Sequence, residues 1–178
     1  LGKGDINTYK LFLNLFYLVL RQEGNLAILV PSGLYTDEGC VPLRQLFFEN
    51  SRIESLYCFE NRWPAVFPAV DNRFKFITFS TRKGGTTEAF RCAFMQHDPE
   101  RLALIEEKAV VMSLTEVKHI SPKSLVLHEH NDKRSIKIEE KAKTSFPLLD
   151  EKITDKWNFF AAREYDVSND VAIFSENQ

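Results

Sequence analysis

LAILVP, residues Leu26–Pro31, is five apolar residues without a polar break, closed by a proline. A run that short, preceded by Gly24 and followed by Ser32-Gly33, reads as a strand. Its unbroken apolar character is the pattern of a parallel strand buried on both faces. Upstream, Leu11, Leu15 and Leu18 recur at helical spacing with Phe12, Phe16 and Val19. They predict a helix that Asp5 or Asn7 caps and that Gly24 ends, with Arg21 in its last turn. Downstream, roughly Gly39–Asn50 has one apolar side and leads into a second apolar strand, Ile53–Phe59. Helix, strand, helix, strand at short spacing argues for an open α/β sheet with crossover helices.

Phe74–Thr81 alternates and predicts a third strand. Lys83-Gly-Gly-Thr-Thr makes a turn, from which Phe90–Met95 returns as a fourth strand in a hairpin. Beyond Asp98 the texture changes. Pro99 fits the first turn of a helix carrying Leu102, Leu104 and Ile105. Charged helical pieces follow at Ser113–Ile120 and about His130–Thr144, punctuated by Pro122 and Pro147. Trp157–Ala161 reads as one more strand and the tail from Asp166 is polar. The expected division is an α/β half over 1–97 and a mostly helical extension over 98–178. In this reading Leu26–Pro31 finds partners on one side only, so its other neighbours are expected before residue 1. Its open edge is then expected either to self-associate or to be covered by Trp157–Ala161.

The chain has 178 residues, enough for one domain with an extension, and its 15 Phe imply a sizeable core. The net charge of −2 supplies no global field toward nucleic acid or membrane, so such contacts must come from local patches. Cys40, Cys58 and Cys92 form no C-x-x-C pair, which suits a reducing cytoplasm better than a disulfide framework. The longest apolar run, around Leu11–Leu20, is broken by Asn14 and is too short to span a bilayer.

The sequence contains no G-x-G-x-x-G, P-loop, G-x-S-x-G or H-E-x-x-H. His128-Glu-His130 offers two imidazoles without a third ligand at fixed spacing, so it reads as a solvated loop and no metal is expected. Cys40 starts a helix, where a thiol pKa can fall, but with no His nearby to act as a base it reads as a buried core residue.

Five stretches carry a resemblance when taken in order. Asp5–Leu34 (DINTYKLFLNLFYLVLRQEGNLAILVPSGL) holds a Tyr-x-x-Phe helix and then a Gly-x-Leu-x-x-x-x-Pro strand. Val41–Phe47 (VPLRQLF), Ile53–Phe59 (IESLYCF), Val66–Phe76 (VFPAVDNRFKF) and Ser113–Pro122 (SLTEVKHISP) follow. Beyond these five, Glu164–Phe174 (EYDVSNDVAIF) also looks like the stretch before a target-recognition domain. Together they resemble the second half of the catalytic domain of amino-type (N6-adenine) DNA methyltransferases. The likeness is to those of single-chain restriction–modification and BREX-type phage-defence systems. The resemblance implies a partial class I methyltransferase (Rossmann-like) sheet with a helical C-terminal extension leading to target recognition.

That family binds S-adenosylmethionine through a Gly-containing loop and reacts at an Asn/Asp-Pro-Pro-Tyr/Phe motif, and these residues contain neither. The resemblance therefore implies that the complete protein methylates adenine in double-stranded DNA, while this chain alone neither binds the cofactor nor turns over. The alternative is a non-enzymatic α/β interaction or specificity module of a DNA-modification complex.

Chemistry on an adenine amino group needs the base out of the stack and held against apolar or aromatic groups. The resemblance puts one such ring in a Val-Phe-Pro loop, and Phe67 is the matching position. Pro64 and Pro68 would stiffen the loop. On composition alone, Phe67 and Trp63 read as core cover for the end of the sheet, since buried aromatics are common; the resemblance reverses that for Phe67 and leaves Trp63 undecided. Trp63, Arg62, Arg73 and Lys75 surround the loop as candidate DNA contacts. Lys133, Arg134, Lys137, Lys141 and Lys143 make a basic stripe that reads either as a DNA-tracking face or, with Glu139 and Glu140 in it, as a salt-bridged solvent face.

Overall fold

The computed structural model describes residues 7–62, 65–98, 100 and 102–146. The expected cap at Asp5, the Trp63 ring, Pro64, Pro99, Pro147 and the strand at Trp157–Ala161 lie outside them. Helix α1 (Thr8–Val19) starts at Asn7, whose side chain makes no capping bond. It ends at Leu20 rather than Gly24, and the left-handed residue of the turn that follows is Glu23. Strand β1 (Asn25–Pro31), helix α2 (Gly33–Thr36), a single 3₁₀ turn (Glu38–Cys40), helix α3 (Val41–Asn50) and strand β2 (Ser51–Glu60) come next. Strands β3 (Lys75–Lys83) and β4 (Ala89–Gln96), helix α4 (Leu102–Lys108), strand β5 (Val110–Ser113) and helices α5 (Leu114–Ile120) and α6 (Lys133–Ser145) complete the order.

The five strands form one mixed sheet in the order β1-β3-β2-β4-β5. β3 runs antiparallel to both β1 and β2, and β4 runs parallel to β2 and antiparallel to β5. The α/β class expected from the sequence holds. Two expectations about strands do not. β4 is not the second arm of a hairpin with β3, because β1 and β2 occupy both edges of β3 and the chain must pass beyond β2 to pair. β1 is neither parallel to its neighbour nor buried on both faces. It pairs antiparallel with β3 at the sheet edge, with Ala27, Leu29 and Pro31 exposed and Leu26, Ile28 and Val30 turned toward the core.

Side-chain parity sorts the core into two faces. Leu56, Cys58, Ile77, Phe79, Phe90, Cys92, Phe94, Val110 and Met112 lie on one, against Leu13 of α1, Phe47 of α3, Val117 of α5 and Ile136 of α6. Tyr57, Phe59, Ala93 and Phe76 lie on the other, against Ile105 of α4. A bulge in β2 between Ile53 and Ser55 shifts the parity, which is why Ile53 and Leu56 share a face. Ser113, the last residue of β5, begins α5 with a capping box. Its hydroxyl accepts from Glu116 N–H at 3.1 Å, and Glu116 accepts from Ser113 N–H at 2.6 Å. Residues up to 142 belong to one compact unit. No helix among the described residues is long and apolar enough to cross a membrane.

Candidate functional site at the carboxyl end of the sheet

β1, β2 and β4 run in one direction, so Pro31, Glu60 and Gln96 end at the same side of the sheet, beside the start of β3 at Lys75. In open α/β sheets that side is where loops gather into ligand sites. The connection from β2 to β3 is the longest there. Asn61 organises it. Its side chain is almost wholly buried, at 1% exposure. Asn61 Nδ2 donates to the carbonyls of Phe67 and Val70, both at 2.9 Å, and Oδ1 accepts from the Phe67 N–H at 2.9 Å. The Asn61 N–H donates to Phe74 O at 3.2 Å, closing the loop at its base. Val70 N–H to Phe67 O at 3.0 Å and Phe74 N–H to Asp71 O at 3.1 Å make two consecutive turns. In the second, the Arg73 guanidinium and backbone N–H hold the exposed Asp71 carboxyl down at about 2.

The Phe67 ring is fixed from below yet open above. It meets Phe76 edge-on at 5.0 Å between centroids, and Phe76 stacks on Phe59 at 5.4 Å. Still, Phe67 is 38% exposed. It borders an apolar cavity of about 280 Å³ whose other walls include Leu29, Pro31, Val70 and Phe74. A partly exposed ring at the wall of an apolar cavity is a surface on which a flat heterocycle can stack.

The cations expected around the loop all have carboxylate partners. Arg62 pairs with Glu60 at 2.6 Å, and Arg73 pairs with Asp71 at 2.8 Å. Lys75 donates to both oxygens of Glu129 at 2.8 and 3.0 Å and lies 3.7 Å from Glu60. Tyr35 of α2 donates to the same Glu129 at 2.6 Å, and its hydroxyl oxygen lies 3.2 Å from Cys58 Sγ. Burial drives the Tyr35 phenol and the Cys58 thiol up, so neither ionises near neutral pH. Burial would also raise the Glu129 carboxyl, but the hydrogen bonds from Lys75 and Tyr35 outweigh it and hold that carboxyl below its usual value. The hydrogen bond to Glu129 raises the Lys75 ammonium in turn.

Of the basic stripe, Lys133, Arg134, Lys137 and Lys141 are exposed, and Lys133 pairs with Glu116 at 3.2 Å. Cys40 is buried beside the Tyr9 hydroxyl at 3.2 Å.

The sequence reading assigned the rigidity of the loop to its prolines and missed Asn61. A polar residue at the end of an apolar strand, just ahead of a proline-containing loop, was the available signal, since Asn commonly bonds backbone groups in turns. Glu129 and Tyr35 gave no sequence signal, being 94 residues apart in the chain.

No protein-family model matches the chain, and no curated protein matches it in sequence. Solved structures do share its fold. One is described as a modification subunit of a type I restriction enzyme from Vibrio vulnificus YJ016, with a TM-score of 0.54 and 16% identity over 74% of this chain. Another comes from the assembled type I restriction–modification system, with a TM-score of 0.57 and 12% identity over 82% of this chain. The chain spans only 33% and 39% of the length of those two proteins.

Proposed function

We propose that the complete protein to which this chain belongs is a site-specific DNA methyltransferase of a restriction–modification or phage-defence system. It transfers the methyl group of S-adenosylmethionine to the N6 amino group of an adenine flipped out of the duplex. Phe67 carries the reading. An aromatic residue whose backbone is clamped by a buried asparagine, and whose partly exposed ring lines an apolar cavity at the carboxyl ends of parallel strands, is placed to stack on a base. The likeness in fold to restriction–modification subunits supports the same assignment, as does the order of the sequence stretches Asp5–Leu34 to Ser113–Pro122.

In this proposal the chain supplies the base-holding wall of the active site. The cofactor loop and the Asn/Asp-Pro-Pro-Tyr/Phe motif do not occur among its residues and belong to the rest of the protein. Arg62, Arg73 and Lys75 border the site, and each would exchange its present carboxylate partner for a phosphate. Trp63 follows Arg62 in the same loop and is the remaining candidate contact.

The test uses the complete protein on duplex DNA with 2-aminopurine at the target adenine. Base–aromatic stacking is worth about 1–3 kcal/mol, so Phe67→Ala lowers base capture roughly tenfold to a hundredfold. Methylation and probe fluorescence equal to those of the unsubstituted protein would return Phe67 to the role of sheet cover. The isolated chain is expected to give no heat with S-adenosylmethionine in calorimetry. Micromolar binding by these residues alone would overturn the division of labour.

A further inference from the structure

Residues 121–131 run as a strap from α5 to α6 and attach alternately to the sheet end and to α6. Glu129 goes to Lys75 and Tyr35. Its neighbours go elsewhere: His128 Nδ1 lies 2.6 Å from Glu139 Oε1 and His130 Nε2 lies 2.7 Å from Glu139 Oε2. Glu139 belongs to α6, nine residues beyond His130. The three side chains are held from behind by the core. Leu125 and Leu127 of the strap are buried, Leu127 N–H donates to Tyr35 O at 3.2 Å, and Ile136 of α6 has no exposed surface. The His128 side chain is 41% exposed, so solvent reaches the cluster.

We propose that His128, His130 and Glu139 form a binding site for a divalent transition-metal ion of the zinc kind. The ligand atoms of the three residues all lie within 4.8 Å of one another. A tetrahedral ion with bonds of about 2 Å holds its ligands on the order of 3–3.5 Å apart, so the site closes by small side-chain rotations. Two imidazoles with one carboxylate suit zinc, nickel or copper and not the hard cations magnesium and calcium, which take oxygen ligands. Each imidazole ligates as the neutral ring with its proton on the other nitrogen, and Glu139 exchanges its hydrogen bonds to the rings for a bond to the metal. Water fills the fourth position.

The ion would tie the strap to α6 and thereby fix Glu129, which positions Lys75 at the carboxyl end of the sheet. The sequence reading expected no metal because it saw two histidines without a third ligand, and helix α6 supplies that ligand from outside the motif. Thiols do not compete in the folded chain, because Cys40, Cys58 and Cys92 are all buried.

The test is a zinc titration of the chain, freed of metal by a chelator, followed by calorimetry and by NMR of its four imidazoles. One equivalent binds, and the resonances of His128 and His130 shift while those of His97 and His119 stay. Glu139→Gln and His130→Gln each weaken binding at least tenfold, and His119→Gln leaves it unchanged. The imidazole spectrum needs no substitution, so a variant that fails to fold does not decide the outcome. Absence of stoichiometric uptake, shifts spread over all four rings, unaltered affinity in a folded Glu139→Gln chain, or equal displacement by magnesium would overturn the proposal.

Discussion

Replacing Asn61 by Ala isolates what holds Phe67 in place. The substitution removes three hydrogen bonds, one from Phe67 N–H and two to the carbonyls of Phe67 and Val70. Each is worth about 0.5–1.5 kcal/mol net when its partners can turn to water, as these exposed loop groups can. Part of that sum persists in the turn bonds Val70 N–H to Phe67 O and Phe74 N–H to Asp71 O. A loss of about 2 kcal/mol in local opening of the loop is the resulting figure, which is roughly thirtyfold in an equilibrium constant. Amide hydrogen exchange reads it directly, since the Phe67 N–H gives its proton to Asn61 Oδ1 and to no other described acceptor. The Phe67 amide is expected to exchange roughly thirtyfold faster in Asn61→Ala. The Thr87 amide, bonded to Phe48 O at 2.9 Å in a separate loop, keeps its rate. Asn61→Asp retains an acceptor for Phe67 N–H but loses both donations and puts a carboxylate in a buried place, so it is expected to be no better than Ala. Acceleration below threefold at Phe67, or equal acceleration at Thr87, would refute the clamp. The first outcome would mean that the turns hold the loop unaided, and the second that Asn61 serves global stability.

Three other outcomes are expected. Because the folded Glu129 carboxyl is held low, its contribution is present above the ordinary glutamate range and is lost as pH falls through the folded value. Stability of the unsubstituted chain relative to Glu129→Gln should therefore shrink on acidification, and parallel denaturation curves at neutral and acid pH would contradict the network. Ser113→Ala removes the acceptor for Glu116 N–H in the capping box and should cost about 1 kcal/mol, a fall in Tm of about 2–4 °C; an unchanged Tm would show the cap to be idle. β1 presents an edge that no described strand pairs, with Leu29 55% exposed and no lysine along it, so we propose self-association through it. Light scattering at rising concentration should show Leu29→Lys, which puts the charge on the exposed face, to be the more monomeric chain, and concentration-independent mass in the unsubstituted chain would count against an open edge.

Existence of the elements was legible because apolar periodicity is local. Leu11, Leu15 and Leu18 mark α1 although all three are exposed and Leu13 is the helix's buried leucine, and the alternation through Phe74–Thr81 marks β3 before any partner is known. Pairing was not legible, because it depends on which edges are still free. The Gly84-Gly85 turn, both residues with positive φ, invites a hairpin between β3 and β4, and local chemistry alone would form it. It does not form, because β3 lies between β1 and β2, which leaves no edge of β3 to take β4. β4 instead joins the far side of β2, and β5, which the reading of residues 98–178 as mostly helical did not foresee, pairs beyond it.

The same distinction divides the candidate site. Phe67 could be singled out beforehand because the resemblance rests on a contiguous pattern, a Val-Phe-Pro loop before a strand. Asn61, Glu129 and Glu139 were not, since each acts through partners set by tertiary structure: the backbone of residues six and nine further on, a lysine 54 residues back, a histidine pair outside its own helix. What connects these partners is the insertion of β3 between β1 and β2. It brings Lys75 beside the ends of β1 and β2 and places Phe76 under Phe67. The Phe67 loop is thus the connection that must carry the chain from the end of β2 to the start of β3 at the same side of the sheet. A crossing confined to that side leaves its turns exposed there and needs one buried polar anchor to fix them, and Asn61 is that anchor.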